Sequence, residues 1–224
     1  MSAADIVFLL DVDDTLLDND RFGVDLGNRL EQAFGAAERE RYFRIFEGLR
    51  SERGVADYLG ALQALRAGLD DHPELLRMSE FLLEYPFAER LYPNALAAVA
   101  HLGRLGRPAV LSDGDIVFQP RKIQRSGIWD AVGGRVMITI HKERVLDEVE
   151  KRFPARRYVM IDDKVRLLAA IKPVLGDRVT TVFVRQGHYA LAPDAGSVRP
   201  APDMTIERIG DSINWDKSAF KEPT

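Results

Sequence analysis

Residues Ile6-Val7-Phe8-Leu9-Leu10-Asp11-Val12-Asp13-Asp14-Thr15 set an unbroken apolar run directly against a group of carboxylates. A run with no polar alternation has no face for water, so it suits a strand buried on both sides of a parallel sheet. The pattern recurs down the chain. Pro108-Ala109-Val110-Leu111 runs into Ser112-Asp113-Gly114-Asp115, and Tyr158-Val159-Met160-Ile161 runs into Asp162-Asp163. Val136-Met137-Ile138-Thr139-Ile140 precedes His141-Lys142, and Val179 to Val184 makes a fifth run. Helical spacing over Ala95 to Leu105, Gln119 to Ser126, Lys142 to Phe153 and Val165 to Leu175 separates them. Strands alternating with helices predict an α/β, Rossmann-like parallel sheet with ligands at the carboxyl ends of the strands.

One stretch departs from this rhythm. From about Asp20 to Arg90 the apolar residues fall at helical spacing, with stripes at Leu26, Leu30 and Phe34 and at Tyr42, Ile45, Phe46 and Leu49. Leu59, Leu62 and Leu65, then Leu75, Leu76, Phe81 and Leu82, continue it. The expected organisation is a catalytic core of residues 1–19 and 91–224 with an all-helical cap domain, 20–90, inserted after the first strand. Ala190 to Pro202 reads as a loop, and Met204 to Ile209 as a last edge strand.

Composition bounds the function. The chain has 224 residues, 46% of them hydrophobic, which is ample for such a core and insertion. Lysine and arginine total 31 against 35 acidic residues, a net charge of -4 that lacks the broad basic footprint of nucleic-acid binding. With no cysteine, disulfides, thiolate metal sites and cysteine nucleophiles are excluded. The short apolar run at the N-terminus meets carboxylates at once, unlike a signal peptide, and no stretch has membrane-spanning length. A cytoplasmic protein, with neither membrane nor nucleic acid as partner, is the expectation; oligomeric state is not legible.

In a parallel sheet the polar strand ends converge on one edge, where crowded carboxylates need a cation and oxygen donors favour Mg2+. Asp11, at the tip of the first strand, is placed for nucleophilic attack on phosphorus. Asp13 can protonate the leaving oxygen and later take a proton from water. Asp162, with Asp163 in support, would complete a metal site with Asp11 and the Asp13 backbone carbonyl. Ser112 and Lys142 supply a hydroxyl and a positive charge for the phosphoryl oxygens, and no other lysine is expected within reach of that role. Thr15 would orient the nucleophile loop or cap a helix. Asp113 and Asp115 are expected to cap the helix that follows them rather than to meet substrate. His141, Arg185 and His188 read as surface or supporting residues. Arg21, Arg44, Arg50 and Arg53 either face a substrate anion or belong to a solvated helix face; Phe22, Tyr42, Phe43 and Phe46 read as bundle core.

These segments resemble the motifs of the haloacid dehalogenase-like hydrolase superfamily. FLLDVDDTLLD is similar to its first motif, an apolar strand followed by Asp-x-Asp-x-Thr, and AVLSDGD to its second. HKERVLDEV offers the motif-three lysine and YVMIDD the acidic fourth motif. The resemblance covers roughly residues 4 to 20 and 90 to 187, and a helical insertion after motif one is similar in position to the cap of one large subgroup. It implies the roles argued above: Asp11 nucleophile, Asp13 acid/base, Ser112 and Lys142 on phosphate, Asp162 on metal. Asp14 stands where many relatives carry glycine, and Arg166 where an acid would follow Asp162, which passes the second acidic role to Asp163. Members that cleave carbon–halogen bonds replace the second aspartate and need no magnesium, so the presence of Asp13 implies a phosphatase. Phosphonate-cleaving members need a cap lysine, and 20–90 contains none. The expected substrate is a small-molecule phosphomonoester. A phosphomutase on the same scaffold and a non-catalytic regulatory protein are the alternatives.

Overall fold

The computed structural model describes residues 4–193 and 195–220; Met1 to Ala3 of the N-terminal stretch, Asp194 of the 190–202 loop and the last four residues lie outside the described residues. Strand β1 (Ala4–Leu10) opens the chain. Four helices follow: α1 (Asn19–Phe34), α2 (Ala36–Arg53), α3 (Tyr58–Leu65) and α4 (Glu74–Glu84). The chain then alternates through α5 (Ala95–Leu105), β2 (Arg107–Asp113), α6 (Phe118–Arg125), α7 (Ile128–Ala131) and β3 (Val136–Thr139). It ends with α8 (Leu146–Arg152), β4 (Ala155–Asp162), α9 (Val165–Leu175), β5 (Val179–Val184), α10 (Gly187–Ala190) and β6 (Met204–Ile206).

The six strands form one parallel sheet in the order β3-β2-β1-β4-β5-β6. Both faces of β1 are buried, as its unbroken apolar run requires. Phe8 and Leu10 join one apolar cluster with Val110 and Val159, while Val7 and Leu9 join another with Leu146, Val149 and Leu168. Leu10 is level with Val110 of β2 on one side and Ile161 of β4 on the other, and the Asp11 N–H donates to the Ile161 carbonyl at 3.0 Å. Asp11 and Asp162 therefore emerge side by side, where the strand order reverses direction around β1 and where such sheets bind ligands.

The helices α1 to α4 fill the stretch in which no strand was expected. Phe22, Leu26, Leu30, Tyr42, Phe46, Leu62, Leu65, Met78 and Leu82 are buried, and their cluster is continuous with the Phe8 face of the sheet. Two of them begin on a capping aspartate: Asp18 accepts from Arg21 N at 2.8 Å at the start of α1, and Asp57 from Gly60 N at 2.7 Å at the start of α3. The two connections that carry this segment run side by side. Asp18 N donates to the Arg90 carbonyl at 2.7 Å, Tyr92 N donates to the Leu16 carbonyl at 3.0 Å, and Leu17 and Leu91 form an antiparallel bridge.

Two expected elements are shorter than their apolar patterns. β6 stops at Ile206, because Ile209 begins a 3-10 turn and gives its N–H to Gln186 Oε1 at 2.6 Å. The helix expected from Lys142 begins at Leu146, since Lys142 donates its backbone N–H to Asp113 Oδ1 at 3.0 Å and turns through a 3-10 segment first. Among the described residues no helix is long and apolar enough to cross a membrane.

Candidate active site

The ends of β1, β2 and β4 and the turn after β3 bring Asp11, Ser112, Asp162 and Lys142 together, all buried. The Lys142 ammonium donates to Asp11 Oδ1 and, at 2.8 Å, to Asp162 Oδ2. Burial alone would depress its pKa, but the carboxylates of Asp11, Asp162 and Asp113 outweigh burial and hold it well above the usual lysine range. Asp163 is buried beside them. Burial, then the charges of Asp162 and Asp11, push its carboxyl well above the carboxylate range. Burial likewise raises Asp162, against the opposing pull of Lys142.

Carboxylate oxygens of Asp11, Asp162 and Asp163 lie within 4.8 Å of one another. Asp11 Oδ2 and both oxygens of Asp163 are buried and have no hydrogen-bond partner. Unpaired buried acceptors are costly, and an all-oxygen donor set of this kind fits a hard divalent cation. The cluster could hold one.

The Asp13 side chain is held by α6. Its Oδ1 accepts from the Lys122 ammonium at 2.7 Å and its Oδ2 from Gln119 Nε2 at 3.2 Å. The same Gln119 amide lies 2.9 Å from Ser112 Oγ. Asp14 sits at φ +59, in the left-handed region that favours glycine, and its Oδ1 accepts from Asn19 N at 3.0 Å and Asp20 N at 3.3 Å. Burial, then the charges of Asp20 and Asp13, push its pKa up to about 7.

Several expectations need correction. Asp113 caps no helix: it accepts from Lys142 N, and burial pushes its carboxyl up to about 7 against the pull of Lys142. Asp115 instead serves the turn that leads into α6, accepting from Val117 N at 2.9 Å and Phe118 N at 2.7 Å, while Val117 holds the N-cap position. Thr15 is no helix cap either; Asp18 fills that position, and Thr15 Oγ1 is buried without a partner. Two further lysines lie near the acidic residues. Lys122 meets Asp13. Lys164 gives its backbone N–H to Asp162 Oδ1 at 2.9 Å, and its ammonium stands over the Tyr189 ring at 5.1 Å. Burial would lower the Lys164 pKa, but Asp11, Asp162 and Asp163 raise it on balance.

A cavity of about 350 Å³ lies between the sheet edge and the helices α1 to α3. Asp13, Asp14, Asp113 and Lys164 line it from the sheet side; Asn19, Phe43, Phe46, Arg50 and Tyr58 line it from the helices. Of the four arginines singled out in the sequence, Arg50 reaches this cavity and donates to the Tyr189 hydroxyl. Arg21, Arg44 and Arg53 pair with Asp25, Glu40 and Asp57 on the helices. Phe22 and Tyr42 are bundle core as expected, whereas Phe43 and Phe46 also face the cavity. His188 binds Asp20 through its N–H at 2.9 Å and its ring, Arg185 pairs with Glu207, and His141 abuts Gly54 of the helical segment. Lys122, Gln119, Lys164, Asn19 and Tyr189 were not singled out. The signal for Lys122 was its place four residues after Phe118, on the helix face that carries that apolar residue.

A family model for haloacid dehalogenase-like hydrolases matches residues 7–174. The solved structure of a protein from Burkholderia xenovorans LB400, described as a haloacid dehalogenase-like hydrolase, is 56% identical with a TM-score of 0.89, over 96% of this chain and 98% of that one. L-2-haloacid dehalogenase from Xanthobacter autotrophicus is 20% identical with a TM-score of 0.56, over 92% of this chain and 96% of that one. The HAD-hydrolase YfnB from Bacillus subtilis, solved bound to magnesium, is 14% identical with a TM-score of 0.60, over 94% of this chain and 97% of that one. At those lower identities the likeness is one of fold. No curated protein matches the chain.

Proposed function

Because the chain belongs to the haloacid dehalogenase-like hydrolases, we propose that it is a magnesium-dependent phosphatase that hydrolyses a small phosphomonoester through an aspartyl-phosphate on Asp11. The observation that carries this reading is one juxtaposition. Asp13 lies on the cavity wall two residues from Asp11, beside a carboxylate cluster with three unpartnered buried oxygens. Halide departs without a proton, so carbon–halogen cleavage needs no general acid there, and the resemblance noted above associates it with replacement of the second aspartate and independence from magnesium.

Magnesium held by Asp11, Asp162 and Asp163, with the Asp13 carbonyl, would offset charge on the phosphoryl oxygens. Lys142 and Ser112 face the same oxygens and keep them oriented. Asp11 Oδ attacks phosphorus in line, and the bond to the ester oxygen breaks. Asp13 gives that departing oxygen a proton, then takes one from the water that cleaves the aspartyl-phosphate. Residues 20–90 act as a cap domain on the core of 1–19 and 91–224. Asp11 is buried, so the cap parts from the core to admit the ester and closes to exclude bulk water.

A panel of phosphate esters and 2-haloacids, assayed with and without magnesium, tests the assignment. Magnesium-dependent phosphate release by the wild type, absent in Asp11→Asn, is the expected result. Halide release in its place would overturn it, and isomerised sugar phosphate without net phosphate release would make the protein a mutase.

A further inference from the structure

Both oxygens of Asp13 are taken by one helix. Lys122 and Gln119, three residues apart on α6, hold Oδ1 at 2.7 Å and Oδ2 at 3.2 Å. The Lys122 ammonium is wholly buried. Its other polar contact is Asn19 Oδ1 at 2.9 Å, and the rings of Phe22, Tyr58, Phe87 and Phe118 surround it with centroids 5.3 to 5.8 Å away. An ammonium buried among aromatic faces needs acceptors for its N–H groups, and the Asp13 carboxyl and the Asn19 amide oxygen are the two it meets. A purely structural staple could use any buried acid. This one grips the carboxylate that lines the cavity, and the Gln119 amide ties the same group to Ser112 at 2.9 Å.

Resting on the phosphatase reading above, we infer that Lys122 and Gln119 are positioning residues for proton transfer: together they aim the Asp13 carboxyl at the leaving oxygen. The network extends into the helical segment. Lys122 binds Asn19 at the start of α1, and Asn19 reaches the Tyr58 hydroxyl of α3 at 3.5 Å. The aim of Asp13 is thereby tied to the seating of helices on the far wall of the cavity.

The test uses two esters of similar shape. p-Nitrophenyl phosphate has a leaving group that departs without a proton, whereas phenyl phosphate releases a phenolate whose conjugate acid has a pKa of about 10 and needs one. Lys122→Met and Gln119→Met keep side-chain bulk and remove the donors. Lys122→Met should lower kcat on phenyl phosphate by about 100-fold, the scale of lost general acid catalysis, with KM unchanged. Gln119→Met should act in the same direction more weakly, and p-nitrophenyl phosphate turnover should be largely spared in both. Equal losses on the two esters, or losses confined to KM, would assign the pair a structural role and overturn the inference. Should Lys122→Met fail to fold, the Gln119→Met ratio alone decides. A wild type that hydrolyses neither ester, in magnesium, would instead remove the phosphatase reading and this inference with it.

Discussion

The Lys142 ammonium stands 2.8 Å from Asp162 Oδ2 while also donating to Asp11, so one buried cation joins the ends of β1 and β4. Neither carboxylate is exposed to water. Removing the ammonium leaves two like charges facing each other, so Lys142→Met should destabilise the fold by about 3–5 kcal/mol. Magnesium should then raise the Tm of the variant more than that of the wild type, because the cation takes over the missing compensation. Thermal unfolding with and without magnesium measures this; equal shifts would count against a cation site at the cluster.

Asp14 makes stability depend on pH in a definite direction. Its carboxyl is pushed from 3.8 to about 7 in the folded protein, first by burial and then by Asp20 and Asp13. Between those values the folded state keeps a proton that the unfolded chain has released, so stability falls as pH rises through the interval. Asp14→Asn retains an acceptor for the two amides and tolerates the left-handed backbone, yet never ionises. The variant should show a flatter Tm profile from about pH 5 to about pH 8, and a higher Tm than the wild type at the upper end. Parallel profiles would remove Asp14 as the source.

Gly187 permits α10 to approach the Asp14 loop. It has φ +70, and a Cβ added there would fall 2.4 Å from Asp14 Cβ. Gly187→Ala should therefore cost about 1–3 kcal/mol, from backbone strain and the displaced loop together. That corresponds to a Tm drop of about 2–4 °C per kcal/mol for a chain of this size. An unchanged Tm would show that the loop yields freely.

Arg50 links the helical segment to the core across the cavity through the Tyr189 hydroxyl, and its guanidinium also lies 5.8 Å from that ring. Arg50→Ala should loosen the closed arrangement. Hydrogen exchange in α2 should accelerate, and KM for the ester should rise about 10-fold, the scale of one charge-assisted hydrogen bond. Unaltered exchange would mean that this contact does not hold the segment down.

How much of this was legible in the sequence follows from what each residue's neighbours reveal. The apolar runs before Asp11, Ser112 and Asp162 announce buried strands, because a side chain that must leave water on both faces cannot be polar. Once those strands are parallel, their acidic ends meet with no further information. Lys122 was hidden by the same reasoning. In Phe118-Gln119-Pro120-Arg121-Lys122-Ile123 a lysine looks like the solvated side of an amphipathic helix, and only the fold shows a carboxylate from 109 residues away facing it. Lys164 was obscured by its place next to Asp163, which drew the reading of that turn towards acid. The close meeting of Gly187 and Asp14 depends on how the end of β5 packs against the first loop, which no local pattern encodes.

The paired connections at Leu16–Asp18 and Arg90–Tyr92 have a mechanical consequence. Two backbones laced by hydrogen bonds behave as a ribbon, which flexes across its thin dimension and resists shearing in its plane. Were the helical segment to move as the proposed cap, such a ribbon would let it rock about one axis and return to the same seat. Registration between the two walls of the cavity would then be inherited from a few amide–carbonyl bonds at the stalk, where Leu17 pairs with both Leu91 and Asp13.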